Sequence, residues 1–107
     1  MGKGRDRVIG QLKEFKKDVE GRYGIEKMVV FGSRARGDYR KDSDVDLILV
    51  SRKFRGKSVL KRPLGLHFYW NLNLPVDFLC YTPKEFEKLK KQVSIVSPAL
   101  KEGIEIT

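Results

Sequence analysis

The sequence predicts a small mixed α/β (α+β) fold, one sheet of three to four strands with helices packed on it. Three observations lead there. Apolar runs at Met28–Phe31, Leu47–Val50 and Val76–Tyr81 read as strands, Val8, Leu12, Phe15 and Val19 recur at helical spacing, and a helix-start signal stands at Thr82. At 107 residues the chain fits one domain, 1–107, with room for a single core and none for a catalytic domain plus a separate substrate domain. Whatever selects a substrate is therefore expected to be another molecule.

The first helix is predicted over Arg5–Gly21, where lysines and glutamates face away from the apolar stripe, and Gly24 breaks it. Glu26–Phe31 follows as the first strand, 32–43 as a glycine-punctuated connection, and Val45–Ser51 as the second strand. In Ser58–Leu72 the apolar residues Leu60, Leu64, Phe68 and Leu72 repeat every fourth position, which predicts a helix that Pro63 kinks or starts. Pro75 opens a third strand through Tyr81. Thr82-Pro83-Lys84-Glu85 then combines an N-cap, a proline at the first helical position and a capping-box glutamate, so Phe86, Leu89 and Val93 are expected to face inward. A short helix around Pro98–Glu102 ends at Gly103, and Ile104–Thr107 is expected as a short edge strand.

Composition narrows the setting. The net charge of +9 favours polyanionic partners such as a nucleotide, an acidic protein or nucleic acid, without choosing among them. Between Asp46 and Asp77 no acidic residue occurs, while Arg52, Lys53, Arg55, Lys57, Lys61 and Arg62 do; this basic segment reads equally as a solvated loop and as a binding patch. No apolar run approaches the roughly 20 residues of a membrane span and no signal core follows the N-terminus, which predicts no membrane partner and a cytoplasmic location. The single cysteine, Cys80, reads as core filler, and His67, beside Phe68, Tyr69 and Trp70, as a packing residue. Those aromatics alternatively serve a partner surface.

The chemistry concentrates between Phe31 and Leu47. Gly32 and Ser33 follow the first strand, ten residues intervene, and Asp44 and Asp46 open the second strand. Antiparallel pairing of these strands brings the glycine–serine turn to the two aspartates. Asp77, near the start of the third strand, joins them only if that strand runs parallel to the second; Arg52–Leu74 is long enough for the crossover. Residues i and i+2 of a strand share a face, so Asp44 and Asp46 present paired negative charge suited to a hard cation such as magnesium, which takes carboxylate and phosphate oxygens together. A third carboxylate permits two metal ions, with Asp77 accepting the proton of an attacking hydroxyl and pyrophosphate leaving. Gly32 lets the backbone approach a phosphate, Ser33 supplies a hydroxyl and an N–H, and among Arg34, Arg36 and Arg40 we assign phosphate contact to Arg36.

Gly32-Ser33, ten residues and Asp44-x-Asp46, within Gly-Ser-Arg-Ala-Arg-Gly and Asp-Ser-Asp-x-Asp-Leu, resemble the signature of the minimal nucleotidyltransferases of the DNA polymerase beta-like superfamily. The resemblance implies that superfamily's fold, Asp44, Asp46 and Asp77 as metal-binding catalytic residues, and Gly32 with Ser33 positioning the triphosphate of ATP. It also implies an antitoxin that transfers AMP onto a tyrosine of a small helical HEPN-type toxin. Pro63 and Gly65 depart from the expected crossover helix, which bears on partner recognition. The alternatives are transfer to RNA or to a small hydroxylated molecule, and a module that neutralises a toxin by binding without catalysis.

Overall fold

The computed structural model describes residues 3–32, 44–92 and 102–107. Along them run helix α1 (Lys3–Tyr23), strands β1 (Lys27–Phe31) and β2 (Val45–Val50), 3-10 helices at Arg52–Phe54 and Leu64–Tyr69, strand β3 (Val76–Tyr81), helix α2 (Pro83–Lys90) and strand β4 (Ile104–Glu105). The strands form one sheet in the order β3-β2-β1-β4. β1 is antiparallel to β2 and β4, and β2 is parallel to β3. The expected polarity of the first three strands is therefore present, with the crossover segment linking the parallel pair.

Alternation along the strands divides the core between two faces. On one, Val8, Leu12, Phe15 and Val19 of α1 pack over Met28, Val30, Leu47 and Leu49, as their helical spacing predicts. Phe15 stacks on Phe78 with ring centroids 5.7 Å apart, and Trp70 meets both rings edge-on while its indole N–H donates to the Leu74 carbonyl at 2.7 Å. On the other face Val29, Phe31, Ile48 and Val50 pack with Phe86 of α2. Each fully buried side chain of this size contributes about 1.5–3 kcal/mol.

The ends of the helices have identifiable causes. Gly24, just past α1, takes φ +60, and the Ile25 N–H donates to the Glu20 carbonyl at 3.2 Å, the longer bond of a Schellman motif. Ser51, fully buried, ties this helix end to the sheet: its hydroxyl donates to the Tyr23 carbonyl and accepts the Lys53 N–H, and its own N–H donates to the Tyr81 carbonyl. At α2 the expected capping box is complete, with the Glu85 N–H donating to Thr82 Oγ1 at 3.2 Å and the Thr82 N–H to Glu85 Oε1 at 2.9 Å. The expected positions of Val93 inward and of a helix around 98–102 lie largely outside the described residues.

The crossover is the one element the spacing misread. Ser58–Pro63 forms successive turns and only Leu64–Tyr69 is helical, in the tighter 3-10 form. Pro63 removes a backbone donor, and Gly65 lies so close to Tyr23 that a β-carbon there would fall 2.2 Å from the phenol oxygen, so a regular α-helix does not run through. The consequence reverses the expected facing. Leu60, Leu64 and Phe68 point to solvent, whereas Leu66, between them, is fully buried.

Candidate active site

Strand register does the positioning. Phe31 is opposite Asp46 across the β1–β2 pair, so the chain leaves β1 at Gly32 beside the start of β2. Across the parallel β2–β3 pair, Asp46 is directly opposite Asp77. Alternation puts Asp44, Asp46 and Asp77 on the same face as Ile48, Val50, Leu79 and Tyr81, which is the face α2 covers. At this end Asp44 and Asp77 are exposed and Asp46 is half-buried. Three acidic side chains thus share one open corner of the sheet.

Gly32 carries φ +74, a backbone region that side chains with a β-carbon rarely enter. A β-carbon added there would lie 2.6 Å from Asp46 Oδ2. The turn therefore needs glycine twice, for its backbone angle and for the room it leaves beside the Asp46 carboxylate. Ser33 and Arg36, the other expected nucleotide-binding residues, lie outside the described residues, as do Arg34 and Arg40.

The fit to a divalent cation can be tested on this geometry. Adjacent strands stand about 4.8 Å apart, so Asp46 and Asp77 come within reach of one ion by rotating χ1 and χ2, without backbone movement. Asp44 lies one pleat away on the same face. Carboxylate oxygens at this spacing suit a hard ion that keeps several waters. Among the described residues no three His, Cys, Asp or Glu side chains are already drawn together around a point. The donor set and backbone fit the ion, and the side chains have still to close on it.

The opposite end of the same two strands holds residues whose role the sequence left open. Arg62, read with the basic segment, is 7% exposed, and its guanidinium donates to both Glu85 oxygens, at 2.6 and 3.1 Å, to the Cys80 carbonyl at 3.1 Å and to the Lys57 carbonyl at 3.1 Å. Those bonds hold the Glu85 carboxyl below the usual carboxylate range. Burial pushes the Cys80 thiol up to about 12, which keeps it protonated and agrees with core filler. Burial likewise raises the Tyr81 hydroxyl. His67 meets the Phe78 ring edge-on at 4.9 Å, in keeping with packing. Nothing local in the sequence marks Arg62 apart from its cationic neighbours; only the chain's return past β3 pairs it with Glu85.

Comparison with known proteins agrees with this corner of the sheet. A nucleotidyltransferase domain matches residues 12–105. A protein of Methanocaldococcus jannaschii, provisionally named a protein adenylyltransferase, is 40% identical over 48 residues, covering 43% of this chain and 48% of that protein. The protein adenylyltransferase MntA of Thermococcus cleftensis is 42% identical over 38 residues, 36% of this chain and 38% of that one. The matched stretches thus span about half the length of these relatives or less. A crystal structure from Sulfolobus solfataricus, provisionally described as a nucleotidyltransferase, superposes with a TM-score of 0.67 at 28% identity, covering 87% of this chain and 86% of that one.

Proposed function

This chain belongs to the nucleotidyltransferase domain family, and from that premise we propose that it moves AMP from ATP, with magnesium, to a tyrosine of a small helical HEPN-type partner. The observation that carries the proposal is the register of Asp46 against Asp77, beside a glycine turn that only a residue without a β-carbon can make. The protein adenylyltransferases among its relatives support transfer to protein. No helix among the described residues is long and apolar enough to cross a membrane.

Asp44, Asp46 and Asp77 are the residues that would hold the cation. Bound there, magnesium supplies a Lewis acid that neutralises charge developing on the phosphate oxygens. The chain's own work is then threefold. Gly32 keeps the space beside Asp46 open to phosphate, and the paired aspartates would position the triphosphate through the cation they would hold. The exposed Asp77 carboxylate takes the proton of the attacking tyrosine hydroxyl. The hydroxyl oxygen bonds to the α-phosphorus, the bond from that phosphorus to the bridging oxygen breaks, and pyrophosphate leaves.

Incubation with α-labelled ATP and magnesium, with and without the product of an adjacent reading frame, tests the reading. Label is expected on a partner tyrosine and is expected to fall by roughly a thousandfold in the Asp44→Asn, Asp46→Asn double variant, matching several kcal/mol of lost charge stabilisation. Label on RNA would move the acceptor to nucleic acid. Tight association with a toxin and no label on any acceptor would leave a binding module and sink the transferase reading.

A further inference from the structure

Two features of the crossover play no part at the aspartate corner. Val59, Leu60, Leu64 and Phe68 are 65%, 85%, 62% and 88% exposed. Single exposed apolar residues are ordinary, but four large ones within one short segment form the kind of surface that marks an interaction site. The same segment borders a cleft of about 740 Å³ whose lining includes Arg52, Arg55, Arg62, Lys84 and Lys88, with Glu85 as its one acid. Arg62 neutralises that acid and Glu26 pairs with Arg52, so Arg55, Lys84 and Lys88 leave the cleft cationic. Val59 and Leu60 sit on the turn between Gly56 and Arg62, both of which line the cleft, so the apolar and cationic surfaces adjoin.

This combination selects among occupants. A second copy of a chain with net charge +9 would bring like charges together. Single-stranded nucleic acid is held by phosphate contacts together with several aromatic platforms; no aromatic residue lines the cleft, Phe68 is the one aromatic among the four exposed apolar residues, and phosphate contacts leave Val59, Leu60 and Leu64 without a role. A lipid surface meets convex apolar faces, whereas these cations line a concavity. An apolar patch beside a cationic cleft is complementary to a protein segment that carries apolar side chains next to carboxylates.

We propose that the crossover face docks a partner protein through an acidic amphipathic segment, its apolar side chains against Val59, Leu60, Leu64 and Phe68 and its carboxylates in the Arg55–Lys84 cleft. The cleft lies toward the end of β2 and β3 opposite the three aspartates, the patch runs from it along the Leu64–Tyr69 segment, and neither depends on the transfer chemistry.

The test uses the full chain and a fluorescein-labelled helical peptide with leucines at every third and fourth position and glutamates elsewhere. Anisotropy is expected to report binding that weakens at least about tenfold in Arg55→Glu, Lys84→Glu and separately in Leu60→Asp, Phe68→Asp. The Asp44→Asn, Asp46→Asn variant is expected to bind as the parent does, which separates this surface from the proposed catalytic corner. The same peptide with lysines for glutamates, an oligoadenylate RNA and phosphatidylserine vesicles are expected to bind at least about tenfold more weakly. Equal binding of the lysine peptide, or no effect of either pair of substitutions in variants whose circular dichroism is unchanged, would overturn the proposal. Tighter binding of the RNA or the vesicles, lost in the same variants, would overturn it in favour of those ligands.

Discussion

The two ends of the parallel β2–β3 pair handle charge in opposite ways. At one end Asp46 faces Asp77 across the strands, like charge beside like charge, with Asp44 one pleat away. At the other end Arg62 reaches the Cys80 carbonyl and closes on Glu85 through two bonds. The same strands thus begin at a cluster of carboxylates and end beside a closed ion pair. Like charges directly opposite in a sheet are destabilising, and under the proposed function a bound cation would offset that cost at the aspartate end. The Arg62–Glu85 pair is structural because each charge answers the other. The aspartate end is the one we propose as functional, where a metal and a triphosphate would meet the carboxylates.

The contrast can be broken at either end. The largest effect on stability is expected from Glu85→Ala, which leaves a buried guanidinium without its carboxylate and removes half of the α2 capping box. Chemical denaturation should show a loss of about 2–3 kcal/mol, less than for a wholly buried pair because the Glu85 side chain is 43% exposed. The same pair gives a pH signature. Because Arg62 holds the Glu85 carboxyl below its ordinary range, the folded state binds that proton less readily than the unfolded chain. Its contribution is present above the ordinary carboxylate range and is lost as pH falls through that range to the lowered folded value. Melting temperatures measured from neutral to acid pH should therefore converge for the parent and Glu85→Gln as Glu85 protonates.

A smaller change is expected at the turn. Gly32→Ala should cost about 1–3 kcal/mol, because alanine at φ +74 is strained and its β-carbon meets the Asp46 carboxylate. Its transfer activity should drop further than its stability accounts for, since the displaced carboxylate is one of the three proposed to hold the metal and substrate. The smallest effect has the opposite sign. Asp77→Asn should raise stability by about 0.2–1 kcal/mol by relieving repulsion from Asp46, while labelling falls toward background. Equal stability of the parent and Asp77→Asn would mean that the repulsion is already relieved within the chain.

Both ends were legible in the sequence to different degrees. The aspartate corner could be read because its parts are local: a strand, Gly32-Ser33, ten residues, Asp44-x-Asp46 and a third strand far enough away to return in parallel. The polarity was legible, and the structure adds the register that sets Asp46 opposite Asp77. The α2 capping box was equally readable, since Thr82, Pro83 and Glu85 act within one turn. Arg62 was not, because its burial depends on Cys80 and Glu85, which no local pattern links to it. The crossover misled for a different reason. Leu60, Leu64 and Phe68 carry a helical period, but Pro63 and the close approach of Tyr23 to Gly65 impose turns and a 3-10 helix, and Leu66 alone of that stretch is fully buried. An apolar period without an uninterrupted backbone predicts neither the helix nor its buried face.

The central claim is the proposal that the aspartates of this corner bind magnesium together with ATP. Calorimetric titration of magnesium and ATP into the parent and into Asp46→Asn, Asp77→Asn, with thermal melting of both, measures this directly. The account expects magnesium-dependent ATP binding in the parent, a loss of at least about tenfold in the variant, and a variant that melts no lower than the parent without ligand. Magnesium-dependent binding of equal strength in both proteins would contradict it.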